Sequence, residues 1–194
     1  NQELSKYFKN FKKIKYNEIL ADTYYFDKNK NFNYFHKSLI QNKEKYLNKL
    51  KNNKIFKKYS IEDILVIGSL IEKEGLDYLD KKKISSVIFN RLEKNMKLQI
   101  DATVIYSITD GEYNLNRKLT LNDLKIDHPY NTYKYKGLPP FPISYVGTKT
   151  IDIILENYNS DLLFYFFNSS MKKHVFSKNY EDHKKKLNEY RNKK

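Results

Sequence analysis

The arrangement in this 194-residue chain best suited to chemistry is a carboxylate at the end of an otherwise apolar helix, one turn beyond two very small residues. The run is Ile67-Gly68-Ser69-Leu70-Ile71-Glu72-Lys73-Glu74. Ser60 with Asp63 reads as a capping box, Ile61, Ile64, Leu65, Ile67 and Ile71 recur at helical spacing, and Gly75 ends the pattern. A carboxyl in such a place can give or take a proton, and Glu72 is the candidate catalytic acid. Residues three and four positions back share its helical face, so Ser69 and Gly68 would leave room for a ligand beneath it. Taken alone, the run is better read as a last turn carrying two solvated charges, Glu72 and Glu74, since most Glu are exposed.

A second set of polar residues falls in loops or near helix ends: Asn90, Arg91, Gln99, Asp101, Asn131, Thr132 and Tyr133. Amides and carboxylates suit sugar hydroxyls, and a Tyr face suits a sugar ring. Residue by residue, a plainer account makes Asp101 a helix cap, Asn131 an Asx turn and Tyr133 a packing residue. Other chemistries are poorly served. His36, His128, His174 and His183 are too far apart to pair along a helix and no Cys joins them, so neither a metal nor any other cofactor is expected. Gly68 and Ser69 lie within a continuous helix, not at a strand-turn-helix elbow, and five Gly cannot assemble a phosphate loop or a dinucleotide fingerprint.

The elements that must position these residues follow from periodicity and punctuation. Asp22 to Phe26 has strand-like residues, helices are expected from about Tyr34 to Leu50, up to Glu72, from Lys82 to Lys94 and from Thr148 to Tyr158, and Asp101 reads as the N-cap of a short helix. Thr120 with Asp123 is a second capping box. Pro129 to Pro142 holds all four prolines and must be loop. Leu162 to Phe167 and His174 to Phe176 read as a hairpin expected in the core, and a Lys-rich helix starts near Asn179. The fold class expected is α+β. It comprises one catalytic domain with a central catalytic helix, a β-hairpin or small sheet, and a proline-rich substrate loop.

With 40% hydrophobic residues the chain can bury one core of ordinary size. No apolar run approaches the roughly 20 residues of a spanning helix. The net charge of +14 attracts polyanions, but only Arg91, Arg117 and Arg191 are Arg, and the Lys is dispersed, so a specific nucleic-acid partner is not expected.

From Ile67 to His183 the sequence resembles the YceG-like family of endolytic murein transglycosylases. The resemblance rests on Leu70-Ile71-Glu72-Lys73-Glu74, Phe89-Asn90-Arg91-Leu92, Leu98-Gln99-Ile100-Asp101-Ala102-Thr103-Val104-Ile105-Tyr106, Tyr130-Asn131-Thr132-Tyr133 with Gly137-Leu138-Pro139-Pro140-Phe141-Pro142-Ile143, and His174-Val175-Phe176-Ser177. Ala102 stands where a Pro is usual, Phe141 where a Gly is usual, Val146 where a Pro often stands, and Gly75 where a small hydroxyl or Ala often follows the second Glu. Asp22-Thr23-Tyr24 fits a weaker upstream block, which puts the catalytic domain at residues 17–194 and leaves 1–16 as a leader or the remnant of a LysM-like segment.

The resemblance implies cleavage within peptidoglycan glycan strands, between N-acetylmuramic acid and N-acetylglucosamine, leaving 1,6-anhydro ends and terminating nascent strands. Glu72 would be the single general acid and base. Glu74, Asn90, Gln99, Asp101, Asn131, Thr132, Tyr133, Pro139 and Pro140 would bind substrate. It also implies a single-pass anchor in the inner (cytoplasmic) membrane, N-terminal to this chain, with the domain on the extracytoplasmic side and peptidoglycan synthases as possible partners. A lysozyme-like hydrolase with Glu74 or Asp101 as second carboxylate, and a non-catalytic glycan-binding or nucleic-acid-binding module, are the alternatives.

Overall fold

The computed structural model of the protein describes residues 5–8, 11–27 and 29–192. Among the described residues six full α-helices and one hairpin follow in order: α1 (Phe32–Leu50), α2 (Ile61–Glu74), α3 (Tyr78–Glu93), α4 (Asp101–Thr109), α5 (Thr148–Leu155), β1 (Phe164–Asn168), β2 (Lys173–Ser177) and α6 (Tyr180–Asn192). The architecture is α+β, as expected. Every residue of α2 from Ile64 to Ile71 is buried, because α3, α4 and α5 pack around it. A helix apolar on all sides is stable only when enclosed in this way. Ile84 and Ile88 of α3, Ile151 and Ile154 of α5, and Leu98, Ile100, Ile143 and Val146 from connecting segments complete this core.

The ends of α2 are those the sequence specifies. The Ser60 hydroxyl accepts from the Asp63 N–H at 3.0 Å while the Asp63 carboxylate accepts from the Ser60 N–H at 2.8 Å, and Gly75 closes α2. A second cluster joins Phe8 and Ile14 to Phe32, Phe35 and Leu39 of α1, with the Phe8 and Phe35 rings stacked at 5.5 Å. Part of the expected leader is thus packed against α1; residues 1–4 and 9–10 lie outside the described residues.

Several local expectations are corrected. α3 starts a turn before Lys82 because the Asp77 carboxylate accepts from the Asp80 N–H at 2.9 Å. α5 stops at Leu155, and Asn157 turns into the left-handed region at φ 47°. Asp22 to Phe26 is not a strand: the neighbouring Ala21 makes one isolated bridge to Gly147. Ile100, not Asp101, occupies the N-cap of α4, and Asp101 is its first helical residue. The antiparallel hairpin, in register Tyr165↔Phe176, is half-buried and not central: Tyr165 and Phe176 pack against the core while Phe167 is 47% exposed.

Candidate active site

The C-terminal turn of α2 carries two carboxyls with opposite surroundings. Glu72 turns toward α3 and α5. Its carboxylate accepts from Lys81 Nζ at 2.5 Å and from the Gly147 N–H at 3.1 Å, and Lys81 Nζ also reaches Thr150 Oγ1 at 3.0 Å. Burial alone would raise its pKa, but the hydrogen bonds from Lys81, Thr150 and Gly147 outweigh it and hold Glu72 below the usual carboxylate value. A negative charge at the start of α5 is also favoured by that helix's dipole. Glu72 therefore ties three elements together as an anion.

The two small residues beneath it do not make room for a ligand. A Cβ on Gly68 would lie 2.5 Å from Val146 Cγ1. Ser69 Oγ donates to the Val66 carbonyl at 2.7 Å and accepts from the Ile143 N–H at 3.0 Å, and Ser144 Oγ donates to the Ser69 carbonyl at 3.1 Å. Segment 143–147 fills the space, which corrects the expectation from Gly68 and Ser69.

Glu74 points elsewhere, toward the N-terminus of α4 and the hairpin. The Tyr165 hydroxyl donates to it at 3.2 Å, and the Ala102 N–H also reaches it. Burial, aided by the Asp101 charge, raises its pKa against the opposing pull of Tyr165, His174 and Ala102. Asp101 accepts a hydrogen bond from the Tyr133 hydroxyl at 2.5 Å. His174 Nδ1 sits 2.8 Å from Asp80, whose carboxylate also accepts from the Leu76 N–H at 3.0 Å. The His174 ring meets Tyr165 edge-on at 5.3 Å.

Of the residues expected to bind substrate, Glu74, Asp101 and Tyr133 come together here, with Gln99 exposed beside Asp101 at φ 52° and Pro140 exposed in the loop. Others are corrected to holding roles. Asn131 is fully buried, donating to the Leu124 and Ile126 carbonyls at 3.1 and 2.8 Å and accepting from the Tyr133 N–H at 2.9 Å. Thr132 is buried, its hydroxyl 2.8 Å from that of Thr103 and accepting from the Ile100 N–H at 3.0 Å. Asn90 donates to the Ser160 and Leu162 carbonyls, both at 2.8 Å, and Pro139 is buried.

Nothing in the sequence marks Tyr165, a strand residue, or Asp80 for this site, and His174 is marked only by its H-V-F-S run. Buried Arg91 donates through Nε to the Leu163 carbonyl and through Nη1 to that of Leu98, both at 2.7 Å, tying the hairpin to the Gln99 segment. Among the described residues no group of His, Asp or Glu could hold a metal ion.

Fold and site together define an α+β domain in which an enclosed helix ends in one charged, tethered carboxyl, Glu72, and one sheltered carboxyl, Glu74, beside Tyr165 and Asp101. The chain belongs to the YceG-like family, whose model matches residues 4–189. It is 39% identical to the endolytic murein transglycosylase of Bacillus subtilis strain 168 over 147 residues, covering 76% of this chain and 38% of that protein. It is 33% identical to the endolytic murein transglycosylase of Streptococcus pneumoniae strain D39 over 141 residues, covering 71% of this chain and 25% of that one. It thus spans well under half the length of these curated relatives. The crystal structure of a YceG-like protein from Listeria monocytogenes superposes with a TM-score of 0.75 at 35% identity, over 87% of this chain and 54% of that one.

Proposed function

We propose that this chain carries the catalytic part of an endolytic lytic transglycosylase acting on peptidoglycan glycan strands, and that Glu74, not Glu72, is its proton donor. The observation that carries this assignment is the contrast between the two carboxyls. A general acid must hold its proton near neutral pH. Glu72 is kept anionic by Lys81, whereas burial and Asp101 favour the protonated form of Glu74. The names of the curated relatives support the substrate class.

In this reading Glu74 protonates the leaving glycosidic oxygen as the bond to N-acetylmuramic acid breaks. The resulting carboxylate then takes the proton of that sugar's own 6-hydroxyl, whose oxygen closes the 1,6-anhydro ring. One carboxyl serves both steps and no water is consumed. Tyr165 orients Glu74, while Gln99, Asp101, Tyr133 and Pro140 line the glycan path. The nearness of Asp101 also favours one competing reading, a hydrolase with Asp101 as second carboxylate.

Mass spectrometry of digested peptidoglycan tests both, since anhydro ends mark the lyase and reducing ends the hydrolase. Glu74→Gln should lose roughly 10²-fold or more in turnover. Near-normal cleavage by Glu74→Gln, with loss in Glu72→Gln at unchanged stability, would return the role to Glu72. By the same reading the domain works on the extracytoplasmic side of the membrane, held by an N-terminal anchor, alongside the synthases that extend the strands. No helix among the described residues is itself long and apolar enough to cross a membrane.

A further inference from the structure

A cavity of about 430 Å³ opens between the segment Lys13-Ile14-Lys15-Tyr16-Asn17 and α4, away from Glu74. Glu74 meets α4 at Ala102, whereas Tyr106 and the C-cap residue Asp110 line the cavity. At about 1.5 Å per residue these lie roughly 6 and 12 Å further along the helix. The volume is that of a small-molecule site.

Its walls are aromatic with polar groups between them. Tyr106 packs on Tyr130 at 4.6 Å, and Tyr16 meets Tyr106 at 6.4 Å and Tyr145 edge-on at 4.8 Å. The turn after α4 is drawn tightly against them. Asp110 is left-handed at φ 49°, and a Cβ on Gly111, at φ 70°, would lie 2.9 Å from both Tyr106 Cε2 and the Tyr16 hydroxyl. Phe141 is 59% exposed and lines the cavity together with Asp110, Asn17 and two lysines.

We propose that this cavity is a saccharide subsite remote from the scissile bond, gripping one ring of the same glycan strand with Phe141 as its outer stacking face. The inference rests on the proposed function for the identity of the strand. Aromatic faces suit the apolar side of a sugar ring, and a carboxylate and an amide suit its hydroxyls and N-acetyl group. An extended strand running along α4 would reach both Glu74 and the cavity, given the spacing of Ala102, Tyr106 and Asp110 on that helix.

The test is calorimetric titration of peptide-free glycan oligomers of increasing length into Glu74→Gln protein, which binds without cleaving. Affinity should step up once an oligomer spans both places. Adding Phe141→Ala should remove the step, a loss of roughly tenfold for long oligomers, and leave the shortest unchanged. Tyr130→Phe should reduce it partly, and Leu121→Ala, at a residue 78% exposed and outside the cavity, should not. Equal weakening at all lengths, no weakening, or displacement of long oligomers by free stem peptide at the cavity would overturn the subsite. Anhydro products from the wild-type chain with a flat length profile would discard the subsite and keep the proposed function. A Phe141-dependent step without cleavage would do the reverse.

Discussion

Two glutamates separated by one residue differ in chemistry because they differ in neighbours. Glu72 is an anion in an ion pair, and its contribution to stability is present above the ordinary Glu range and lost as pH falls through its lowered folded value. Glu72→Gln should therefore destabilise the fold by roughly 2 kcal/mol at pH 7, with the deficit against wild type shrinking under acid conditions. Urea melts of both proteins at neutral and acidic pH read this directly, and an undiminished deficit in acid would contradict the ion-pair account. Glu74 has the opposite sign. Its raised pKa means that the folded state gives up stability as pH rises through that value, while the protonated acid persists above the normal carboxyl range. The alkaline limb of kcat/KM should accordingly lie above that range. Asp101→Asn, which removes a like charge, should move the limb to lower pH. A limb that stays in place would separate Glu74 from the titration.

At the scale of elements, the site depends on how closely segment 143–147 lies on α2. Gly68→Ala adds a methyl group where Val146 already sits, and should cost roughly 1–3 kcal/mol despite the better helix propensity of Ala. Pairing it with Val146→Ala should recover part of that loss, a coupling that a double-mutant cycle of unfolding free energies measures. Additive losses would mean the helix and segment do not compete for that space. The proline loop is likewise held from inside. Asn131→Ala leaves two carbonyls and the Tyr133 N–H without partners and should destabilise by roughly 2–3 kcal/mol, with turnover falling as Tyr133 shifts. A variant of wild-type thermal stability with weak glycan binding would instead place Asn131 at the substrate.

Over the whole molecule, the charge of +14 comes mostly from Lys scattered along the chain. Duplex DNA retention should therefore be indifferent to sequence and vanish by about 0.3 M salt, where the screening length is well below ~10 Å, while glycan retention by Glu74→Gln protein persists. Sequence-selective DNA binding at that salt would promote a nucleic-acid role. Sequence by itself determined that the helices exist, the two ends of α2 at Ser60, Asp63 and Gly75, the hairpin, the loop character of the prolines and the family blocks. These are local: caps, periodicity and turn residues act within a few positions. It also determined that Glu72 and Glu74 lie about 200° apart around α2. Which of them has its pKa raised and which lowered was a tertiary decision. Glu72 is held low because a lysine of the next helix and the Gly147 N–H, 75 residues away, meet it, and Glu74 is raised because the folded chain buries it near Asp101, against the pull of Tyr165 from 91 residues on. The same distant packing turned Asn131 and Thr132 inward, since burial and electrostatic surroundings depend on what the folded chain brings together and periodicity records only which face of its own element a residue occupies.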